Sequence, residues 1–191
     1  SVGILTLLTG VFFICIKFPP PKQAQGVPFS YIIKLVKDKA LVLIALFLCF
    51  QSGFEGIINN WTTTYLMNRH SVAQSSALYA LSSFVAGMVI MRLLIGSIFR
   101  PYPAKKLLTI SFVLTILGLI LLKSGFSFNV SIAGLILLGG GLSGGFPIML
   151  GFVGDLYTEL SGTAFSLVFF IALIGNTLIN LLMGLIAQNF G

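Results

Sequence analysis

The densest polar chemistry in this 191-residue sequence lies inside an apolar stretch: Gln51-Ser52-Gly53-Phe54-Glu55-Gly56-Ile57-Ile58-Asn59-Asn60-Trp61-Thr62-Thr63-Thr64-Tyr65. Gln51, Glu55, Asn59 and Thr62 recur at helical spacing, which predicts one face presenting an amide, a carboxyl, a second amide and a hydroxyl. Such groups are costly against lipid, so that face must look into protein or water. Glu55 sits about 22 Å along the helix from the start of its stretch, in the middle to outer part of a bilayer. It is the one acid inside any candidate span. A carboxyl at that depth carries a proton or accepts hydrogen bonds from sugar hydroxyls; the structural alternative is a protonated Glu bonded to a neighbouring helix. Trp61 offers a flat face to a pyranose ring or anchors its helix in the aromatic belt. Asn176 and Asn180, one helical turn apart, supply the donors and acceptors that polyol recognition requires, or simply hold two helices together. Gln51, Glu55, Asn59, Trp61, Asn176 and Asn180 are the expected solute-binding set, with Glu55 also the candidate for proton coupling.

A second group of charges reads as structural or gating. Arg92 lies near one end of its span, close enough to pair with Asp155 or Glu159, and about ten Å from the depth of Glu55, so the spacing does not pair it with that acid. Other chemistry is absent from the sequence pattern. The one histidine, His70, falls in a short outer loop, and no metal-ligand spacing, Gly-rich phosphate loop or nucleophile constellation occurs. No cofactor, no metal and no enzymatic activity are expected. Cys15 and Cys49 lie in apolar runs, where a free thiol behaves as a small hydrophobe.

The elements that must hold these residues follow from composition. The chain is 57% hydrophobic and 8% charged, with a mean hydropathy of +1.08, against roughly 25% charged residues in soluble domains. That excludes a soluble globular protein. The net charge of +7 accordingly marks basic loops at a membrane, and nucleic-acid binding is not expected. Apolar stretches cover residues 1–16, 40–66, 73–99, 107–122, 130–154 and 162–188, against the ~20 residues of a helical crossing. The expected fold class is all-α, a polytopic membrane protein. Residues 17–39 form the long connection, with Pro19-Pro20-Pro21 and then a short amphipathic helix whose Phe29, Ile32, Ile33 and Val36 share a face away from Lys34 and Lys37. Lys17, Lys22, Lys34, Lys37, Lys39, Arg100, Lys105 and Lys106 fall on one side of the membrane, and only Arg69 and Lys123 on the other. The first side is therefore cytoplasmic and the location a cell membrane, the inner one in a bacterium. Gly87 and Gly96, Gly139 to Gly141 with Gly144 and Gly145, and Gly175 and Gly184 permit close helix packing. Pro147 should bend the fifth span and free a backbone carbonyl, tolerable only against protein or a cavity.

In this order, the features resemble the major facilitator superfamily. Gly87, Arg92 and the run from Gly96 through Arg100, Pro103, Lys105 and Lys106 to Leu108 are similar to its G-x-L-x-D-R-x-G-R-K-x-x-L loop motif. Gly96, Ile98, Lys105 and Leu108 fit; Arg100 replaces the acid and Pro103 the glycine, which leaves an inverted Arg100 to Asp155 pair as the substitute charge contact. Phe146-Pro147, Asp155, Gly162-Thr163-Ala164, Gly175, Gly184 and Gly191 resemble the tenth and eleventh helices. Gly53, Glu55, Trp61 and Tyr65-Leu66, followed by Ser83-Phe84, Gly87-Met88 and Arg92, most resemble the fucose, glucose and galactose group of sugar proton symporters, fucose permease among them.

The resemblance implies a partial major facilitator fold. Residues 1–16 would be the end of the sixth helix, 17–39 the central cytoplasmic loop, and 40–191 the carboxy-terminal bundle of helices seven to eleven, with the twelfth missing. It further implies a secondary transporter of a small polar solute, most naturally a sugar, working by alternating access with proton coupling against an amino-terminal half that this chain lacks. In that group the coupling acids lie mainly in the amino-terminal half. Two alternatives remain: a proton-driven exporter of amphipathic or drug-like compounds, and a non-transporting membrane receptor or scaffold.

Overall fold

A computed structural model describes residues 2–16 and 29–190. Among them it has eight helices and no strand: α1 (Val2–Cys15), α2 (Phe29–Lys37), α3 (Lys39–His70), α4 (Gln74–Gly96), α5 (Ala104–Ser124), α6 (Phe128–Leu142), α7 (Gly145–Leu156) and α8 (Ser161–Phe190). Lys17, Lys22, the three-proline run and Gly191 lie outside the described residues. Among the described residues five spans, with α6 and α7 together counted as one, are long and apolar enough to cross a membrane. The protein is thus an all-helical, multi-pass membrane protein. α1, with 14 residues, is shorter than the about 20 a crossing needs.

Local chemistry sets the helix ends. The Asp38 carboxylate accepts from the backbone amides of Ala40 at 2.9 Å and Leu41 at 3.2 Å, capping α3 where its first amides have no carbonyl partner. At the other end Ser71 turns the chain at φ 50°. Gly125 closes α5 at φ 62°, a left-handed value that costs a residue without Cβ nothing. His70 is not in a loop, as the sequence suggested, but in the last turn of α3. Its Nε2 lies 2.9 Å from Ser131 Oγ of α6, and its ring meets Phe128 edge-on at 6.0 Å.

α3 belongs to two packing units. On one side Leu41, Ala45 and Leu48 bury against Val153 of α7 and Ala164 and Val168 of α8. On the other, Ile58 and Leu66 pack with Ala77 and Phe84 of α4 and Leu135 and Leu138 of α6, and α5 lies against α6. Lipid tails are as apolar as these side chains, so close backbone approach, more than burial itself, supplies the attraction. Small residues mark those approaches. A Cβ on Gly139 would fall on the Phe84 carbonyl, and one on Gly87 on that of Ile136, where α4 and α6 cross. Gly175 of α8 lies equally close to Cys49 of α3. Gly96 has nothing within 4 Å and is not a packing glycine.

A further expectation needs correction. The stretch 130–154 is not one helix but α6 and α7, parted at Ser143-Gly144. The cause is Pro147, which has no N–H for the Ser143 carbonyl four residues earlier and whose ring crowds it. On α2, Ile33 and Val36 of the expected apolar stripe are exposed, while Leu35, off that stripe, is buried in the cluster with Leu41 and Ala164.

Candidate functional site

At the α6–α7 break two backbone carbonyls receive side chains from other helices. Gln51 of α3 donates its Nε2 to Leu142 O at 2.7 Å, and Arg92 of α4 donates its Nε to Ser143 O at 3.4 Å. The carbonyl freed by Pro147 is therefore met by protein, as a backbone group within a bilayer must be.

Arg92 then reaches into an open cavity of about 390 Å³ lined by Ser52, Glu55, Gly56, Asn59, Asn60, Arg92, Phe146 and Asn176. Counting residues along the axes separated Arg92 from Glu55, yet they share this cavity. Side chains on a helix lean toward its N-terminus, and α3 and α4 run in opposite directions. Glu55 leans toward the start of α3 and Arg92 back from the end of α4, so their heads converge where their Cα atoms do not. They are not in ion-pair contact, and among the described residues neither the Glu55 carboxyl oxygens nor the Arg92 Nη atoms have a hydrogen-bond partner.

A chain of amides forms the far wall. Asn60 Nδ2 donates to Asn180 Oδ1 at 3.0 Å, and Asn180 Nδ2 donates to Asn176 Oδ1 and Asn176 O, both at 2.8 Å. Gly56 makes room for this chain, since a Cβ there would fall on the side chains of Asn176 and Asn180. Asn59 Nδ2 donates to the Glu55 carbonyl at 2.9 Å, leaving its Oδ1 to the cavity. The cavity thus presents a carboxyl, a guanidinium, an amide donor at Asn176 and an amide acceptor at Asn59.

Of the residues singled out from the sequence, Glu55, Asn59 and Asn176 line this cavity, with Asn180 tied to its wall. Gln51 does not line it. It is 8% exposed and faces a separate, apolar cavity. Thr62, of the same proposed face, is buried as well. Trp61 packs over Gly184 of α8, where a Cβ would meet its ring at 3.6 Å. Asp155 and Arg100 are both exposed, and among the described residues no ion pair joins Asp155 to Arg92 or Arg100. The loop's basic end is organised instead by Tyr102, whose ring carries the Lys106 ammonium at 4.7 Å and meets Phe99 edge-on. Ser52 and Asn60 were not among the candidates. They lie on the ridge Ser52-Gly56-Asn60, next to the ridge chosen from the sequence, and their signal was the glycine between two polar residues at four-residue spacing.

At the cytoplasmic end of the expected topology, Asp38 also accepts a hydrogen bond from the Tyr157 hydroxyl in the α7–α8 turn. That bond, with the α3 amides, holds the Asp38 carboxyl below its usual 3.8. Burial first, and then the Asp38 contact, push the Tyr157 hydroxyl up to about 12.

Comparison with known proteins gives one family. The family model described as Major Facilitator Superfamily matches residues 1–178. No curated protein matches the chain.

Proposed function

The chain belongs to the major facilitator superfamily of secondary transporters, and from that premise we propose that the Glu55–Arg92 cavity is the binding site for a small polar solute of the sugar class, moved by alternating access with proton coupling. One observation carries the proposal: a carboxyl and a guanidinium face one cavity without pairing, beside the free amide groups of Asn59 and Asn176. An ionisable pair held open at membrane depth is costly unless it has work to do. A polyhydroxy solute fits these groups, because each hydroxyl both donates and accepts. Protonated Glu55 both donates to and accepts from a solute hydroxyl, so proton and solute are held together at one side chain. The similarity of Gly53, Glu55, Trp61 and Arg92 to the fucose, glucose and galactose symporters supports the sugar class. In this reading the cavity is completed by an amino-terminal half of the same transporter, and the basic loops face the cytoplasm across a cell membrane.

The test is uptake of a labelled hexose panel by proteoliposomes holding the intact transporter, with and without an inward proton gradient. The expected outcome is gradient-driven accumulation of one hexose, reduced about ten-fold or more in Glu55→Gln. Absence of accumulation for every sugar, with the protein inserted and folded, would sink the sugar symporter reading.

A further inference from the structure

Among the described residues that line the polar cavity, Glu55 and Arg92 alone are charged. Arg92 gives its Nε to Ser143 O at 3.4 Å, which leaves the N–H groups of both Nη atoms without a partner among the described residues. With Glu55 ionised the two charges cancel. The solute reading above loads the site with Glu55 protonated, and a guanidinium does not shed its own proton to compensate. The loaded cavity then holds one positive charge with no counter-ion, a costly state at membrane depth. A neutral sugar does not offset it, because its hydroxyls donate and accept without carrying charge.

A solute carboxylate offsets that charge. Parallel N–H groups at the tip of a guanidinium match the two oxygens of a carboxylate, the forked arrangement that makes such pairs short and strong. On the reading of this cavity as the solute site, we propose that its preferred solute is a sugar carrying one carboxylate, of the hexuronate kind. The carboxylate sits on Arg92 Nη1 and Nη2, and the hydroxyls donate to Asn59 Oδ1 and accept from Asn176 Nδ2 beside protonated Glu55. Proton and anion then require each other. Without the proton, ionised Glu55 repels the carboxylate from the shared cavity; without the carboxylate, the proton leaves Arg92 unpaired. The cavity is neutral both when empty with Glu55 ionised and when loaded with proton and acid, so symport of the two moves no net charge.

The intact transporter in proteoliposomes, given an inward proton gradient, tests this with a panel of labelled hexuronates, each beside its methyl ester and parent hexose. One hexuronate is expected to show a KM about ten-fold below those of its ester and hexose. Its steady accumulation should not change when an inside-negative potential is imposed at a fixed proton gradient, whereas a neutral solute moving with one proton would gain about fifty-fold per 100 mV. Arg92→Lys, which keeps the charge and loses the fork, should shrink the preference for acid over hexose about ten-fold. A merely structural loss at the helix break would instead shift both KM values alike. Should that variant fail to fold, the ester comparison and the potential dependence of the wild type remain decisive. A hexose or ester taken up as well as the acid, acid accumulation that climbs with the potential, or an unchanged preference in Arg92→Lys would each overturn the inference while leaving the sugar site standing. Uptake of no member of the panel would remove the sugar site as well.

Discussion

Single side chains show where reading a helix as a straight stripe fails. Successive four-residue steps drift by about 40° around an α-helix. Gln51 and Thr62 therefore turn into protein, while Glu55 and Asn59 reach the cavity beside Ser52 and Asn60. The polar residue types were legible in the sequence, but the rotation that sorts them depends on which neighbour occupies each side. The Asp38–Tyr157 contact was not legible at all, because 119 positions separate residues that carry no shared pattern. It predicts a titration. Asp38, held below 3.8, contributes stability that is present above 3.8 and lost as the pH falls through its lowered value. Tyr157, raised to about 12, contributes stability that is full below 10.0 and lost as the pH rises through about 12. Tyrosinate absorbance should show a late-ionising component that is lost in Tyr157→Phe. In Asp38→Asn it should titrate earlier yet still above 10.0, because burial, the larger cause, remains.

Helices were the most legible scale, since sustained apolarity between turn residues locates them directly; α3, α4, α5 and α8 overlap their expected stretches throughout. The break between α6 and α7 was half legible. Pro147 announced a freed carbonyl, but only packing reveals that Arg92 receives it. Pro147→Ala would supply the missing N–H to Ser143 O in competition with Arg92. A higher unfolding temperature together with slower transport by the intact protein is the expected result, and a faster transporter would contradict it. Where α4 crosses α6 there is no slack at all. Gly139→Leu should cost about 2 kcal/mol or more, because its side chain must displace Phe84 backbone rather than a flexible tip. A loss of thermal stability far beyond that of Gly96→Leu, whose surroundings are open, is the measurement that checks it.

For the whole molecule, the distribution of polar exposure is the informative quantity. Glu55 is half-buried, and Asn59, Asn60 and Arg92 are exposed on the open side of the bundle at positions flanked by apolar residues. A bundle whose charged groups lie on an open face cannot by itself present alternating access to two sides of a membrane. Liposomes containing the 191-residue chain alone should therefore show no solute flux above empty liposomes, and robust flux would overturn the proposal that a second half completes the cavity. Family membership was legible from the order of motifs, because glycine and proline positions report backbone demands directly. The solute was not, since hydropathy is indifferent to cargo.

Helix length has a mechanical consequence. α3, with 32 residues, extends about 48 Å, whereas α5, with 21, extends about 32 Å, close to the ~30 Å of a hydrocarbon core. The shorter helix matches that thickness in length; the longer one exceeds it and must lean, protrude or thicken the bilayer around it. Thinning the bilayer therefore acts first on the helix that carries Glu55, and lipid chain length becomes a handle on the cavity that no solute or proton needs to touch.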